Sequence, residues 1–112
     1  MQRKIENNVV MPSAEVQKMI PKIQEYLATQ PIEHAYLFGS CSRGEETKDS
    51  DVDLLVKLST TTPVGLFQYV GMMTQLQDIL GRRVDLVEED GLANYAKPYV
   101  NRDRIKIYER AH

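Results

Sequence analysis

The stretch from Tyr36 to Lys57, YLFGSCSRGEETKDSDVDLLVK, constrains the fold more than any other part of the chain. The apolar and aromatic run at 34–38, closed by Gly39, predicts a largely buried strand. After a polar loop, alternation of polar and apolar residues predicts a second strand that opens on Asp51 and Asp53. One face of this strand is expected in the core, through Val52, Leu54, Val56 and Leu58.

One helix is predicted on each side of this stretch. An apolar stripe at helical spacing indicates a first helix within 13–30, in which Pro21 marks either a kink or the start of regular structure. For the second helix, Thr62 and Pro63 have the residue types of an N-cap and a first helical position, and Gly81 is typical of a C-terminal stop. Its inward residues are expected to be Leu66, Val70, Met73, Leu76 and Leu80.

The rest of the chain completes an α/β (α+β) pattern. Residues 83–88 alternate as a third strand that carries Asp85, and 105–108 predict a final edge strand after a short helix near Pro98. The pattern therefore predicts one small mixed β-sheet flanked by helices. At 112 residues we expect a single domain, with 1–12 as an N-terminal arm.

Charge and composition exclude several classes of protein. A net charge of −2 gives no basic field for bulk nucleic-acid binding. No apolar run approaches the ~20 residues that a membrane span requires. The lone Cys41 cannot form an intramolecular disulfide, which fits a reducing compartment. We therefore expect a cytoplasmic protein that does not bind a membrane.

The two aspartates at the start of the second strand indicate a metal site. Asp51 and Asp53 are two residues apart on a strand, so their carboxylates point to the same face. Two like charges at that separation are costly unless a cation lies between them. Hard oxygen ligands of this kind suit Mg²⁺ or Mn²⁺, although the pair alone is also compatible with an exposed surface pair.

Two competing motifs fail on individual positions. An EF-hand loop beginning at Asp49 would have Leu54 instead of glycine at its sixth position and Thr60 instead of glutamate at its twelfth. A P-loop register is started by Gly39 and Gly44, but the acidic pair at 45–46 stands where lysine and serine or threonine should bind phosphate. Two acids at those positions would repel a triphosphate.

What remains is Gly39-Ser40, ten residues, and then Asp51-x-Asp53. This pattern resembles the minimal nucleotidyltransferase (MNT) family of the polymerase-beta-like superfamily, and the order of elements extends the resemblance over most of 14–110. The resemblance implies that Asp51, Asp53 and a third carboxylate, Asp85, bind metal and are catalytic. It also implies a nucleotide-binding group, which comprises Gly39, Ser40, Arg43 and Ser50. For Arg43, an ion pair with a neighbouring glutamate is an equally plausible role.

The resemblance further implies a Mg²⁺-dependent enzyme that transfers AMP from ATP. In the family's known arrangement, the acceptor is a tyrosine of a partner HEPN-domain toxin, and the MNT protein is the antitoxin. Two alternatives stay open at this point. The chain could neutralise its partner by binding alone, or it could act as a homo-oligomer, a homodimeric nucleotidyltransferase for a small molecule.

Overall fold

The structure, a computed structural model, describes residues 11–94 and 96–111, so most of the predicted N-terminal arm lies outside the described residues. A 3₁₀ turn at Glu89–Gly91 follows the third strand. The helices and strands are, in chain order, α1 (Ala14–Leu27), β1 (Ile32–Phe38), α2 (Ser40–Arg43), β2 (Val52–Leu58), α3 (Leu66–Leu80), β3 (Val84–Glu88), α4 (Lys97–Asp103) and β4 (Ile105–Glu109). All three predicted strands and the final edge strand are present.

The four strands form one mixed sheet in the order β3-β2-β1-β4. Strand β1 pairs antiparallel with both β2 and β4, whereas β2 and β3 are parallel. The parallel pair follows from α3, because a crossover helix returns the chain to the same end of the sheet. The predicted mixed sheet flanked by helices is confirmed.

Helix α1 lies on the core face of this sheet. Its N-cap is Ser13, whose side-chain oxygen accepts a hydrogen bond from the Val16 amide at 3.2 Å. The helix runs through Pro21, so the alternative in which regular structure starts near that proline is wrong. Four apolar residues at helical spacing are buried on this face, namely Val16, Met19, Ile23 and Leu27.

Helix α3 differs from its prediction in two respects. It begins at Leu66 with Gly65 as N-cap, not at Thr62 and Pro63, because Ser59 Oγ accepts hydrogen bonds from the amides of 61 and 62 and closes a separate turn. The predicted inward residues Leu66 and Val70 are 74% and 44% exposed. The buried stripe centres on Met72 and Leu76, and at about 100° per residue Val70 lies about 120° around the helix from Leu76.

The second face of the sheet is covered in part. Helix α4 packs against β1 on the other side from the main core, and Leu55 and Val100 are buried outside the main core cluster. Leu55 lies on the same strand face as Asp53, and its burial shows that this face becomes apolar further along β2. In the part of the chain that the structure describes, no helix has the length and apolar character needed to cross a membrane.

Candidate active site

The strand register gathers the sequence-predicted acidic residues at one edge of the sheet. Phe38, the last residue of β1, pairs with Asp53, and Asp53 in turn pairs with Asp85 on β3. The turn at Gly39 therefore follows β1 directly beside the Asp53 carboxylate. Asp51 lies just before β2, at the same edge. Gly39, Asp51, Asp53 and Asp85 are thus brought together from three strands.

Gly39 has a backbone conformation that requires glycine. Its φ of 77° lies in the left-handed region, which side chains disfavour. A Cβ atom at this position would lie 2.4 Å from Oδ2 of Asp53, closer than non-bonded atoms approach. The turn and the carboxylate therefore fit together only because this position has no side chain. Ser40 begins α2 immediately after the turn.

Ser42, which sequence reasoning missed, holds the turn in place. This side chain is 2% exposed, and its hydroxyl donates to the Gly39 carbonyl oxygen at 2.7 Å. The Ser42 amide donates to the same carbonyl at 3.0 Å. Gly44, with a φ of 72°, ends α2. The sequence signal for Ser42 is its position three residues after a strand-ending glycine, because a serine hydroxyl can donate to the carbonyl oxygen three residues before it.

Asp53 lies in an environment that disfavours its negative charge. Burial, then the charges of Asp85 and Asp51, raise the pKa of Asp53 from 3.8 to about 6. None of the ion pairs within residues 11–94 and 96–111 involves Asp53. This carboxylate therefore faces two other carboxylates without a neutralising cation from the described protein.

Asp51, unlike Asp53, forms an ion pair with an arginine. Its Oδ1 lies 3.1 Å from Nε of Arg83, in an ion pair in which the Arg83 side chain is 80% exposed. Among the described residues, no three His, Cys, Asp or Glu side chains are already positioned to hold a metal ion together. Asp51 is thus near the other two aspartates, but Arg83 holds its carboxylate.

Cys41 fastens α2 to the strand that carries the aspartates. Its thiol is buried and donates to the Asp51 carbonyl oxygen at 3.5 Å. Burial, with Glu46 as the next cause, raises the pKa of the Cys41 thiol to about 11. The side chain therefore stays neutral and acts in packing, as a small apolar residue does.

The two remaining candidate residues have structural contacts. Arg43 forms an ion pair with Glu45 at 2.8 Å and a second one with Asp103, so it links α2 to α4. Ser50 Oγ accepts a hydrogen bond from the Thr47 amide at 2.9 Å and closes the loop before β2. Both residues lie near the edge of the sheet where the aspartates meet, and their nucleotide-binding roles stay predictions.

The donor set fits a divalent hard cation next to a phosphate. Asp51, Asp53 and Asp85 carry carboxylate oxygens, the donor type that Mg²⁺ and Mn²⁺ prefer, and a cation bound there would relieve the repulsion that Asp85 and Asp51 exert on Asp53. The turn at Gly39 leaves the backbone open where a side chain would collide with Asp53. Exposed backbone next to carboxylates that could hold a cation suits a polyphosphate.

Comparisons with known proteins agree with this chemistry. A family model described as "Polymerase beta, Nucleotidyltransferase" matches residues 21–112. A Methanocaldococcus jannaschii protein provisionally named protein adenylyltransferase MJ1379 is 29% identical over 96 residues, which cover 84% of this chain and 96% of that protein. Protein adenylyltransferase MntA of Thermococcus cleftensis is 35% identical over 71 residues, 63% of this chain and 70% of that protein.

A solved structure shares the fold. It is a complex of an AMPylated Shewanella oneidensis HEPN toxin with an MNT antitoxin; the match has a TM-score of 0.65 and 21% identity, and covers 85% of this chain and 73% of that chain. The resemblance read from Gly39-Ser40 and Asp51-x-Asp53 is confirmed by these matches. The chain belongs to the polymerase beta nucleotidyltransferase family and is a nucleotidyltransferase related to the MntA protein adenylyltransferases.

Proposed function

We propose that this chain is a Mg²⁺-dependent protein adenylyltransferase that transfers AMP from ATP to a tyrosine hydroxyl of a HEPN-domain toxin, and so acts as its antitoxin. The observation that carries the proposal is the meeting of Asp51, Asp53 and Asp85 beside a turn in which a Cβ atom at Gly39 would collide with Oδ2 of Asp53. The names of the relatives, protein adenylyltransferase and MNT antitoxin of a HEPN toxin, support the same substrate and partner.

Each residue has a role that its position supports. Gly39 and Ser40 would bind the β- and γ-phosphates of ATP, because the turn leaves backbone amides and a hydroxyl at the beginning of α2. Asp51, Asp53 and Asp85 would hold a divalent cation, Mg²⁺ or Mn²⁺. When bound, that cation would supply positive charge to the triphosphate and to the attacking oxygen.

The chain's own residues would then direct an in-line displacement. The tyrosine oxygen forms a bond to the α-phosphorus, and the bond between that phosphorus and the pyrophosphate oxygen breaks. Asp85, which is exposed on β3, accepts the hydroxyl proton and later releases it to water. The pyrophosphate leaves from the turn at Gly39. Because most of this chemistry is positioning, the register that aligns Asp53 with Asp85 is central to the reaction.

The exposure of the site suits a protein acceptor. Asp85 is exposed on β3, and the neighbouring Arg83 side chain is 80% exposed. A tyrosine on the surface of another protein can therefore reach the proposed base. Consumption of ATP would place the activity in the cytoplasm, where triphosphate is available.

The test uses ATP labelled on the α-phosphate, Mg²⁺, this chain and the HEPN protein encoded beside it. We expect label on the partner, lost on replacing the partner's acceptor tyrosine with phenylalanine. The double variant Asp51→Asn/Asp53→Asn should transfer no label. Asp78→Asn is the matched control, since Asp78 is an exposed aspartate on α3. Tight binding of the partner without transfer would instead favour neutralisation by binding alone, and label only on a small hydroxyl or amine compound would favour the third alternative.

A further inference from the structure

Arg83 stands beside Asp51 for the same geometric reason that Asp85 stands beside Asp53. The parallel register between β2 and β3 pairs Val52 with Val84 and Asp53 with Asp85. Continued by one residue toward the start of both strands, it places Arg83 opposite Asp51. Since alternate residues of a strand face the same side, the carboxylate pair and the Asp51–Arg83 pair occupy one face.

The contacts of Arg83 differ from those of its neighbours. Nη1 of Arg82 donates to the carbonyl oxygens of Thr47 and Ser50, so Arg82 fixes the loop before β2. Arg83 instead reaches Asp51, with a separation of 3.1 Å between Nε and Oδ1, and is 80% exposed. Together with Lys48 these arginines line an open cavity of about 270 Å³. Arg83 is therefore an exposed side chain, and breaking its ion pair with Asp51 removes no buried contact.

We propose that Arg83 is a removable counter-ion of the metal site. In the metal-free protein its guanidinium neutralises and orients the Asp51 carboxylate, and an incoming divalent cation must displace it, so Arg83 sets the affinity of the site for the cation. This inference rests on the proposed function, because it takes Asp51 to be a metal ligand. It makes Arg83 a positioning residue that acts through Asp51.

The size of the effect follows from the exposure of the pair. An exposed ion pair stabilises a protein by up to about 1 kcal/mol, which corresponds to about a fivefold change in an equilibrium constant. Removing Arg83 should therefore strengthen binding of a divalent cation by about two- to fivefold. The effect requires no nucleotide, so cation binding can be measured without catalysis.

The experiment measures Mn²⁺ binding to the full chain by electron paramagnetic resonance, without nucleotide. Arg83→Gln should bind Mn²⁺ about two- to fivefold more tightly than wild type, and Arg83→Lys, which keeps a cation, should recover most of the wild-type affinity. Lys48→Gln is the matched control, because it removes the same charge from the same cavity. It should change the affinity less than Arg83→Gln does. Circular dichroism melts verify that all variants are folded.

Two outcomes separate this inference from the proposed function. If wild type binds Mn²⁺ and Asp53→Asn does not, but Arg83→Gln binds no more tightly than Lys48→Gln, the role of Arg83 is refuted and the metal site stands. If neither wild type nor any variant binds Mn²⁺ at these aspartates, the metal site of the proposed function is refuted, and the role of Arg83 with it.

Discussion

Replacing Asp53 with asparagine is expected to stabilise the metal-free protein at neutral pH, although it removes a proposed metal ligand. Burial and the charges of Asp85 and Asp51 raise the pKa of Asp53 from 3.8 to about 6. The folded protein therefore binds this proton more tightly than the unfolded chain does. As the pH rises from 3.8 to about 6, ionisation of Asp53 lowers the free energy of unfolding. Above about pH 6 the full destabilisation by the Asp53 charge is present. Asparagine has no charge and removes the cost.

The magnitude follows from the pKa shift after a correction for solvent. Each pKa unit corresponds to about 1.4 kcal/mol, so the whole shift of Asp53 would be worth about 3 kcal/mol if solvent did not screen its interactions. Asp53 is only half-buried, and solvent screens such interactions strongly. We therefore expect Asp53→Asn to raise the free energy of unfolding by about 1 kcal/mol at neutral pH, or to raise the Tm by about 5 °C. Below the pKa that Asp53 has in the unfolded chain, wild type and Asp53→Asn should have the same Tm.

The assay is thermal unfolding followed by circular dichroism, with a chelator present, at about pH 7.5 and at about pH 3.5. Asp78→Asn again serves as the control for loss of one exposed carboxylate. Excess Mg²⁺ should then stabilise wild type more than Asp53→Asn, because a ligand that binds only the folded state stabilises it by mass action. If Asp53→Asn were less stable than wild type in chelator at neutral pH, the electrostatic reasoning would be wrong.

Three further substitutions test the turn and the core. Gly39→Ala should lower the free energy of unfolding by about 1–3 kcal/mol and abolish AMP transfer, because of its φ of 77° and the 2.4 Å approach to Asp53; unchanged stability in a urea titration would contradict this. Ser42→Ala should cost about 1 kcal/mol and weaken nucleotide binding, measured by calorimetry, since it removes a hydrogen bond to the turn. Leu27→Ala, at a fully buried position, should cost about 2–5 kcal/mol, whereas Ile79→Ala, 41% exposed, should cost much less by the same titration.

The sequence predicts most of the fold because its strands and first helix are specified locally. Alternation in 51–58 and in 83–88 identifies β2 and β3, and Gly81 ends α3 as its residue type predicts. The predicted start of α3 is wrong. Thr62 and Pro63 have the residue types of an N-cap and a first helical position, but Ser59 closes a separate turn there and the helix begins at Leu66. That competition depends on loop geometry, which residue types alone do not report.

Part of the candidate site could also be predicted from local sequence, whereas the rest depends on how the strands pair. The spacing from Gly39 to Asp51 and Asp53 is local, so it could be read directly from the sequence. The pairing of Asp85 with Asp53 and the position of Arg83 beside Asp51 depend on the parallel register between two strands separated by a helix. An arginine two residues before a predicted strand aspartate was the available signal. That spacing puts Arg83 on the same strand face as Asp85, but without the register nothing placed it beside Asp51.

The central claim is that the aspartates and the turn at Gly39 form one site for metal and triphosphate. It is tested most directly by a crystal structure of the chain with Mn²⁺ and a non-hydrolysable ATP analogue, in which anomalous scattering locates the metal. The account predicts an anomalous peak bound by Asp51 and Asp53, with Asp85 beside it and the β- and γ-phosphates against Gly39 and Ser40. Metal and triphosphate bound elsewhere on the chain, with these carboxylates empty, would contradict it.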